Sequence, residues 1–188
     1  MHGEIHFALF GRPRYPDAMA YDYDKLYGET PDALGSPTKA FVDFFDRFGP
    51  KPTRVLDVGC GQGRDALFIA RRGHSVLDVD LSPNGISDLE AAARQDGLAI
   101  EAVVADVTTY TPPGLFGVIV IDRTLHMLGR AERMSVLAAL LDHVEDHGWL
   151  LIADEPSNMA DFRSVLSAHR AEWATEYQAS GYLFAKRA

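Results

Sequence analysis

The chain reads Arg54-Val55-Leu56-Asp57-Val58 and then, without a break, Gly59-Cys60-Gly61-Gln62-Gly63, after which a helical pattern opens. An apolar run that ends in three alternate glycines has few places in a fold. Glycine lets the backbone turn tightly and approach a ligand that a Cβ would exclude. Such strand–turn–helix joints belong to open parallel sheets, whose ligands sit beyond the carboxyl ends of the strands. The spacing departs from the dinucleotide fingerprint G-x-G-x-x-G, because the third glycine position holds Arg64. It also fails as a P-loop, since no Gly-Lys-Ser/Thr follows.

The remaining pattern agrees with that joint. Strands are expected at 54–58, 75–79, 100–105, 118–121 and 149–153, with helical patterns between most of them. Ser82-Pro83 starts one helix, with Ile86, Leu89 and Ala93 on its inner face, and Gly97 ends it. Met134, Leu137, Leu141 and Val144 mark a helix that Gly148 is expected to close, which would put His143 and His147 together on its last turn. Cationic side chains there meet the helix dipole favourably, and no third ligand makes them a metal pair. Met159, Phe162, Val165 and Leu166 mark another helix. Alternation around Gly181 predicts an antiparallel hairpin of about 172–178 and 182–187. Upstream, Ser36-Pro37 reads as the start of a helix carrying Phe41, Phe44, Phe45 and Phe48 on one face, ended by Gly49-Pro50. Apolar strands separated by amphipathic helices predict an α/β fold: a doubly wound, Rossmann-like, mostly parallel sheet with a C-terminal antiparallel hairpin.

Composition narrows the partners. The 188 residues carry a net charge of −9, most of it between residues 52 and 156, and no basic face is evident. Phosphate backbones attract basic surfaces, so a nucleic-acid partner is disfavoured. The lone cysteine, Cys60, can make neither an internal disulfide nor a thiolate metal cluster. No apolar run approaches the roughly 18 residues of a membrane span, and no signal peptide is read at the N-terminus. The expectation is a cytoplasmic chain, monomer or homodimer, with no membrane partner and a small molecule as substrate.

Two carboxylates give the glycine turn a chemistry. Asp80, at the end of the second strand, stands where an acid can accept both hydroxyls of a ribose. Asp57, just before the glycines, suits a cationic ligand better than a pyrophosphate, whose charge it would oppose. A sulfonium with an α-amino group is such a ligand. The run Val55–Arg64, together with Asp78-Val79-Asp80-Leu81-Ser82-Pro83, resembles the class I S-adenosylmethionine methyltransferases over about residues 53–155. Gly61-Gln62-Gly63-Arg64-Asp65-Ala66 and Arg71-Arg72-Gly73-His74 are similar to the tellurite-resistance and thiopurine-type small-molecule branch.

The resemblance implies S-adenosylmethionine as cofactor. Asp57, Gly59, Cys60 and Gly61 would lie at its methionine part, Asp80 at the ribose, Leu81 at the adenine, and Asp106 and Val107 at the adenine rim. Cys60 itself reads as a small filler rather than a nucleophile. Residues 1–50 would form a lid segment and helix, with Tyr23 and Tyr27 over the cofactor, and residues 51–188 the methyltransferase domain. A Tyr-Asp or Phe-Asp pair common in the family before the fourth strand reads Phe116-Gly117 here, and Asp78 stands where a small residue is usual. After the fourth strand, Asp122, Arg123 and His126 face the methyl group in the family. Asp122 and His126 are the expected catalytic groups, and Arg123 and His126 the expected substrate contacts. The D/N-P-P-Y/F motif of base- and amide-methylating enzymes is absent there, so the expected acceptor is a small thiol, oxyanion, hydroxyl or amine. Two other readings stand beside this one: a cofactor-binding sensor without catalysis, and a nicotinamide-dependent oxidoreductase, the latter opposed by Arg64 and by the lack of a Tyr-x-x-x-Lys pair.

Overall fold

Strands that are apolar on both sides need cover on both faces, and the chain provides it by alternating strand with helix. The computed structural model describes residues 22–49 and 51–188. A short helix α1 (Tyr23–Glu29) and a longer α2 (Lys39–Phe48) precede β1 (Arg54–Val58). Then follow α3 (Arg64–Ala70), β2 (Ser75–Asp80), α4 (Pro83–Asp96), β3 (Ile100–Val104) and β4 (Phe116–Asp122). The chain continues through α5 (Arg130–Leu141), β5 (Val144–Ala153), α6 (Met159–Ala168), β6 (Trp173–Ala179) and β7 (Tyr182–Arg187). The seven strands lie in the order β3-β2-β1-β4-β5-β7-β6. β1 to β5 are parallel, and the closing hairpin runs antiparallel. The order reverses between β1 and β4, so the loops after these strands diverge and leave a crevice. The doubly wound sheet with its C-terminal hairpin is therefore as expected.

Strand alternation divides the interior in two. Val55, Val76, Val118, Val120 and Leu151 face α2, α3 and α4, where Phe41, Phe44, Phe45, Ile69 and Leu89 meet them. Leu56, Leu77, Ile119, Ile121 and Leu150 face α5 and α6 through Leu137, Leu141 and Phe162. The phenylalanine stripe of α2 is thus core. Residues 105–115, between β3 and β4, cross without a helix, and Arg54 Nη1 donates to the Pro113 carbonyl (2.6 Å) to hold the crossing.

Two local expectations are corrected. The second helix starts after Thr38, not at Ser36, because the Thr38 amide is taken by Asp65 Oδ1 (2.9 Å). The helix expected to run on to Gly148 ends at Leu141. Val144 opens β5 opposite Phe116, and the register then slips so that Trp149 pairs with Val118. His143 and His147 consequently do not share a helix turn. His143 Nδ1 lies 2.8 Å from the Gly114 carbonyl, and His147 takes a left-handed backbone (φ 63°) inside the bulged strand. Val144 continued the helical spacing by coincidence, and the bulge had no sequence mark except Gly117 and Gly148.

Gly63 shows how tightly the turn is packed. It caps α3 with φ 80°, and a Cβ there would overlap the fully buried Leu89 of α4. Gly63→Ala is expected to cost about 2 kcal/mol or more, from left-handed strain plus overpacking. Urea unfolding should show a lower midpoint with an unchanged m-value.

Candidate active site

The loop after β1 is built from three left-handed glycines, each with a different neighbour. A Cβ on Gly59 (φ 75°) would strike Thr124, whose hydroxyl donates to the Val58 carbonyl (2.9 Å). A Cβ on Gly61 (φ 55°) would come within 2.6 Å of the Tyr27 hydroxyl. The glycines therefore admit, in turn, the loop after β4, the N-terminal segment and α4. Cys60 is buried, its thiol packed into the core and pushed up in pKa by burial, so it offers the site backbone rather than a nucleophile.

Asp80 closes β2 and reaches the turn. Its Oδ2 accepts the Gly61 amide and its Oδ1 the Ser82 amide, both at 2.8 Å. Burial raises its pKa, and the hydrogen bonds from Ser82 and Gly61 oppose that rise. Each oxygen keeps acceptor capacity for another donor. Beside it, Leu81 and Val104 (the latter its register partner on β3) are 45% and 49% exposed, an apolar rim next to a carboxylate. Asp106, farther along the same rim, has Oδ1 engaged by the Thr108 amide (2.9 Å) and hydroxyl (2.7 Å), and Val107 packs against the core below.

Beneath the turn lie more acids than cations. Asp78 and Asp57 are register partners on β2 and β1, and both are buried. Asp122 ends β4 on the same face, and Asp65 opens α3 above it. Burial drives the Asp57 carboxyl well above the usual range, and Asp78, Asp65 and Asp122 push it the same way. Burial does the same to Asp78, neither of whose oxygens has a partner among the described residues. Arg64 is the cation that answers them, donating to Asp65 Oδ2 (2.8 Å) and to Asp122 Oδ2. Asp122 Oδ2 also accepts the Thr38 hydroxyl (2.6 Å), while its Oδ1 is buried and unpartnered among the described residues. The structure thus ties Asp122 into a network instead of presenting it as a free base.

The N-terminal segment is fastened over this turn. Asp24 accepts the Ser82 hydroxyl (2.6 Å) and the Asn84 amide (3.0 Å) at the start of α4. Gln62 donates to the Thr30 carbonyl (3.0 Å) and accepts the Ala33 amide (2.8 Å), and Arg64 donates to the Leu34 carbonyl (3.2 Å). Tyr27 is buried against Gly61, and the Tyr23 ring lies tilted against it at 5.9 Å between ring centres. Tyr15 and Tyr21, also part of the expected lid, lie outside the described residues.

At the far side of the crevice, Arg123 takes a left-handed conformation (φ 50°) and is exposed. A non-glycine residue in that region is uncommon and strained. His126 follows in a short turn, its amide donating to Asp154 Oδ2 (3.0 Å) and its Nδ1 lying 3.9 Å from the same oxygen. Asp154, after β5, is buried and also accepts from Glu155 and Asn158. It was missed in the sequence, where only its place after the fifth strand could have marked it. Gln62 and Asp65 were read there only as part of a resemblance, and Arg64 otherwise only as a departure from the dinucleotide fingerprint, yet all three fasten the N-terminal segment.

Residues 55–148, half of the chain, match the methyltransferase domain family. The chain belongs to that family. Among its relatives, a putative methyltransferase of Geobacillus is 32% identical over 138 residues, 72% of this chain and 55% of that protein. A probable S-adenosyl-L-methionine-dependent methyltransferase, TehB of Haemophilus influenzae, is 29% identical over 101 residues, 54% of this chain and 35% of that one. The chain spans about half, or less, of the length of these curated relatives. The crystal structure of a TehB-like SAM-dependent methyltransferase from Corynebacterium glutamicum superposes with a TM-score of 0.69 at 23% identity, covering 88% of this chain and 97% of that one. At that identity the likeness is one of fold. Among the described residues of this methyltransferase-family domain, no helix is long and apolar enough to cross a membrane.

The acid cluster gives a pH test. The Asp78 pKa is raised in the fold, so the folded state holds that proton more tightly than the unfolded chain does. Its contribution to stability is fully present below the unfolded value of about 4 and is lost as pH rises through the folded value. Asp78→Asn is expected to be more stable than wild type near neutral pH, with the gap closing toward about pH 4. Urea titrations across that range check it.

Proposed function

We propose that this domain binds S-adenosylmethionine in the crevice beneath the N-terminal segment and transfers its methyl group to a small-molecule acceptor. The observation that carries the reading is the Asp80 carboxylate, fixed by the Gly61 and Ser82 amides and flanked by exposed Leu81 and Val104. That arrangement suits a ribose diol beside a flat heterocycle. The excess of buried acid around Asp57, with Arg64 as its partner cation, suits a ligand that is positive at its other end.

When bound, S-adenosylmethionine supplies an electrophilic methyl group on a sulfonium. The protein's own residues then have orientation and water exclusion as their main tasks. Asp57, Gly59, the Cys60 backbone and Gly61 form the wall for the methionine part. Asp80 would hold the ribose, Leu81 the adenine face, and Asp106 and Val107 the rim, while Tyr27 and Tyr23 would close the roof. Asp122 keeps Arg64 and Thr38 in place. His126, steadied through its amide by Asp154, is the group that can accept a proton from an acceptor hydroxyl or amine. A thiolate or oxyanion acceptor needs no such base. Arg123 stands exposed on the same loop for an acceptor contact.

Calorimetric titration with S-adenosylhomocysteine, beside NADH, tests the cofactor. The first is expected to bind and the second not. Asp80→Ala is expected to weaken S-adenosylhomocysteine binding by about 2–4 kcal/mol, and unchanged affinity removes Asp80 from the site. A screen of thiols, phenols, amines and oxyanions for homocysteine-product release tests turnover. Binding with no turnover across that panel favours a sensor. In the same screen, His126→Gln should lower kcat by about 10²–10⁴-fold for hydroxyl acceptors and leave thiolate acceptors nearly unchanged.

A further inference from the structure

An open pocket lies where the β6–β7 turn meets Asp154. It occupies about 370 Å³ between the start of α6 and the β6–β7 turn, a size within the roughly 300–1,000 Å³ of small-molecule sites. It is joined to the His126 loop through one residue. The Gly181 carbonyl in the cavity wall accepts the Asp154 amide (2.9 Å), and Asp154 Oδ2 accepts the His126 amide. Gly181 has φ 78°, and a Cβ there would come within 2.7 Å of the Asp154 carbonyl. The hairpin turn can therefore close onto Asp154 only through glycine.

The lining divides by chemistry. Pro156 and Met159 give it apolar surface, and Arg163, Gln178 and Ser180 bring a guanidinium, an amide and a hydroxyl. None of those three side chains has an ion pair or hydrogen bond among the described residues, and no carboxylate side chain lines the cavity. Nearby on α6, Asp161 is already taken by Arg130 (2.6 Å) and Arg133 (3.8 Å), so it does not neutralise Arg163. An unpaired, half-buried guanidinium in a chain of net charge −9 is a local exception. Its planar fork matches a carboxylate.

The geometry points to this cavity as the anchoring site of the methyl acceptor, and to a small organic acid as its occupant. Arg163 receives the carboxylate, Gln178 and Ser180 supply further donors, and Pro156 and Met159 cover the carbon body. Arg163 is then a specificity residue, holding the end of the acceptor that does not react. This rests on the methyl-transfer reading above, so the test separates the two.

The full chain, labelled with ¹⁵N-arginine, is titrated with acetate, benzoate and succinate, each beside its neutral amide, at constant ionic strength. At least one acid is expected to shift the Arg163 Nε–H signal while its amide does not. Arg163→Ala identifies that signal by its loss, and its S-adenosylhomocysteine affinity should equal wild type. For a carboxylate acceptor that turns over, the same variant should raise KM about tenfold or more with kcat retained. No shift with any acid, or an equal shift with the amides, overturns the cavity assignment even when S-adenosylhomocysteine binds. Acid-specific shifts in a protein that does not bind S-adenosylhomocysteine overturn the acceptor role, and with it the methyl-transfer reading.

Discussion

Arg64 is the contact on which the crevice depends. Its guanidinium joins Asp65 on its own helix, Asp122 at the end of β4, the Thr38 hydroxyl before α2, and the Leu34 carbonyl in the N-terminal segment. A buried carboxylate stays ionised only when it is paired and hydrogen-bonded. Here a single planar group with five donors serves two of them and fastens the chain that passes above. A lysine could supply the charge but not the fork. The glycine turn, the roof and the fourth strand are thus registered against one another by a side chain in the position that a dinucleotide fingerprint would give to glycine.

Much of the fold could be read from the sequence because its signals are local. The apolar runs of β1, β2, β4 and β5, the Ser82-Pro83 helix start and the Gly181 hairpin each state their own structure. What could not be read is long-range. The bulge between β4 and β5 arises where Gly117 and Gly148 bring two backbones together, and nothing near Val144 distinguished it from one more helical turn. The candidate site follows the same division. Asp80 meets the Gly61 amide where their places along one joint put them, whereas Asp154 acquires meaning only when β5 is set beside β4. The glycines were read as places where the backbone approaches a ligand, and in the structure Gly59 and Gly63 make room for Thr124 and Leu89, neighbours remote in sequence.

The electrostatics of the interior follow from strand register. Asp57 and Asp78 lie side by side on adjacent parallel strands, a placement that sets like charges together in a poorly solvated layer. One way to relieve this is to hold protons, and burial pushes both carboxyls upward, with the neighbouring acids adding to the rise at Asp57. Another is a cation. Arg64 supplies that cation, at Asp65 and Asp122. The stability forgone on this face is concentrated at the turn where a positively charged molecule would be received.

The roof over the turn is fastened at both ends by polar groups, through Asp24 on α4 and Thr38 on Asp65 and Asp122, with Tyr27 as its main buried apolar residue. A cover held this way behaves unlike one held by grease. Little apolar area changes on lifting it, so its opening should carry a small heat-capacity change and vary little in free energy between cold and warm. Its fastenings are hydrogen bonds from neutral donors to carboxylates rather than exposed ion pairs, so dissolved salt has little to screen. The seating of this segment is then tied to the few donors that hold it rather than to temperature or electrolyte.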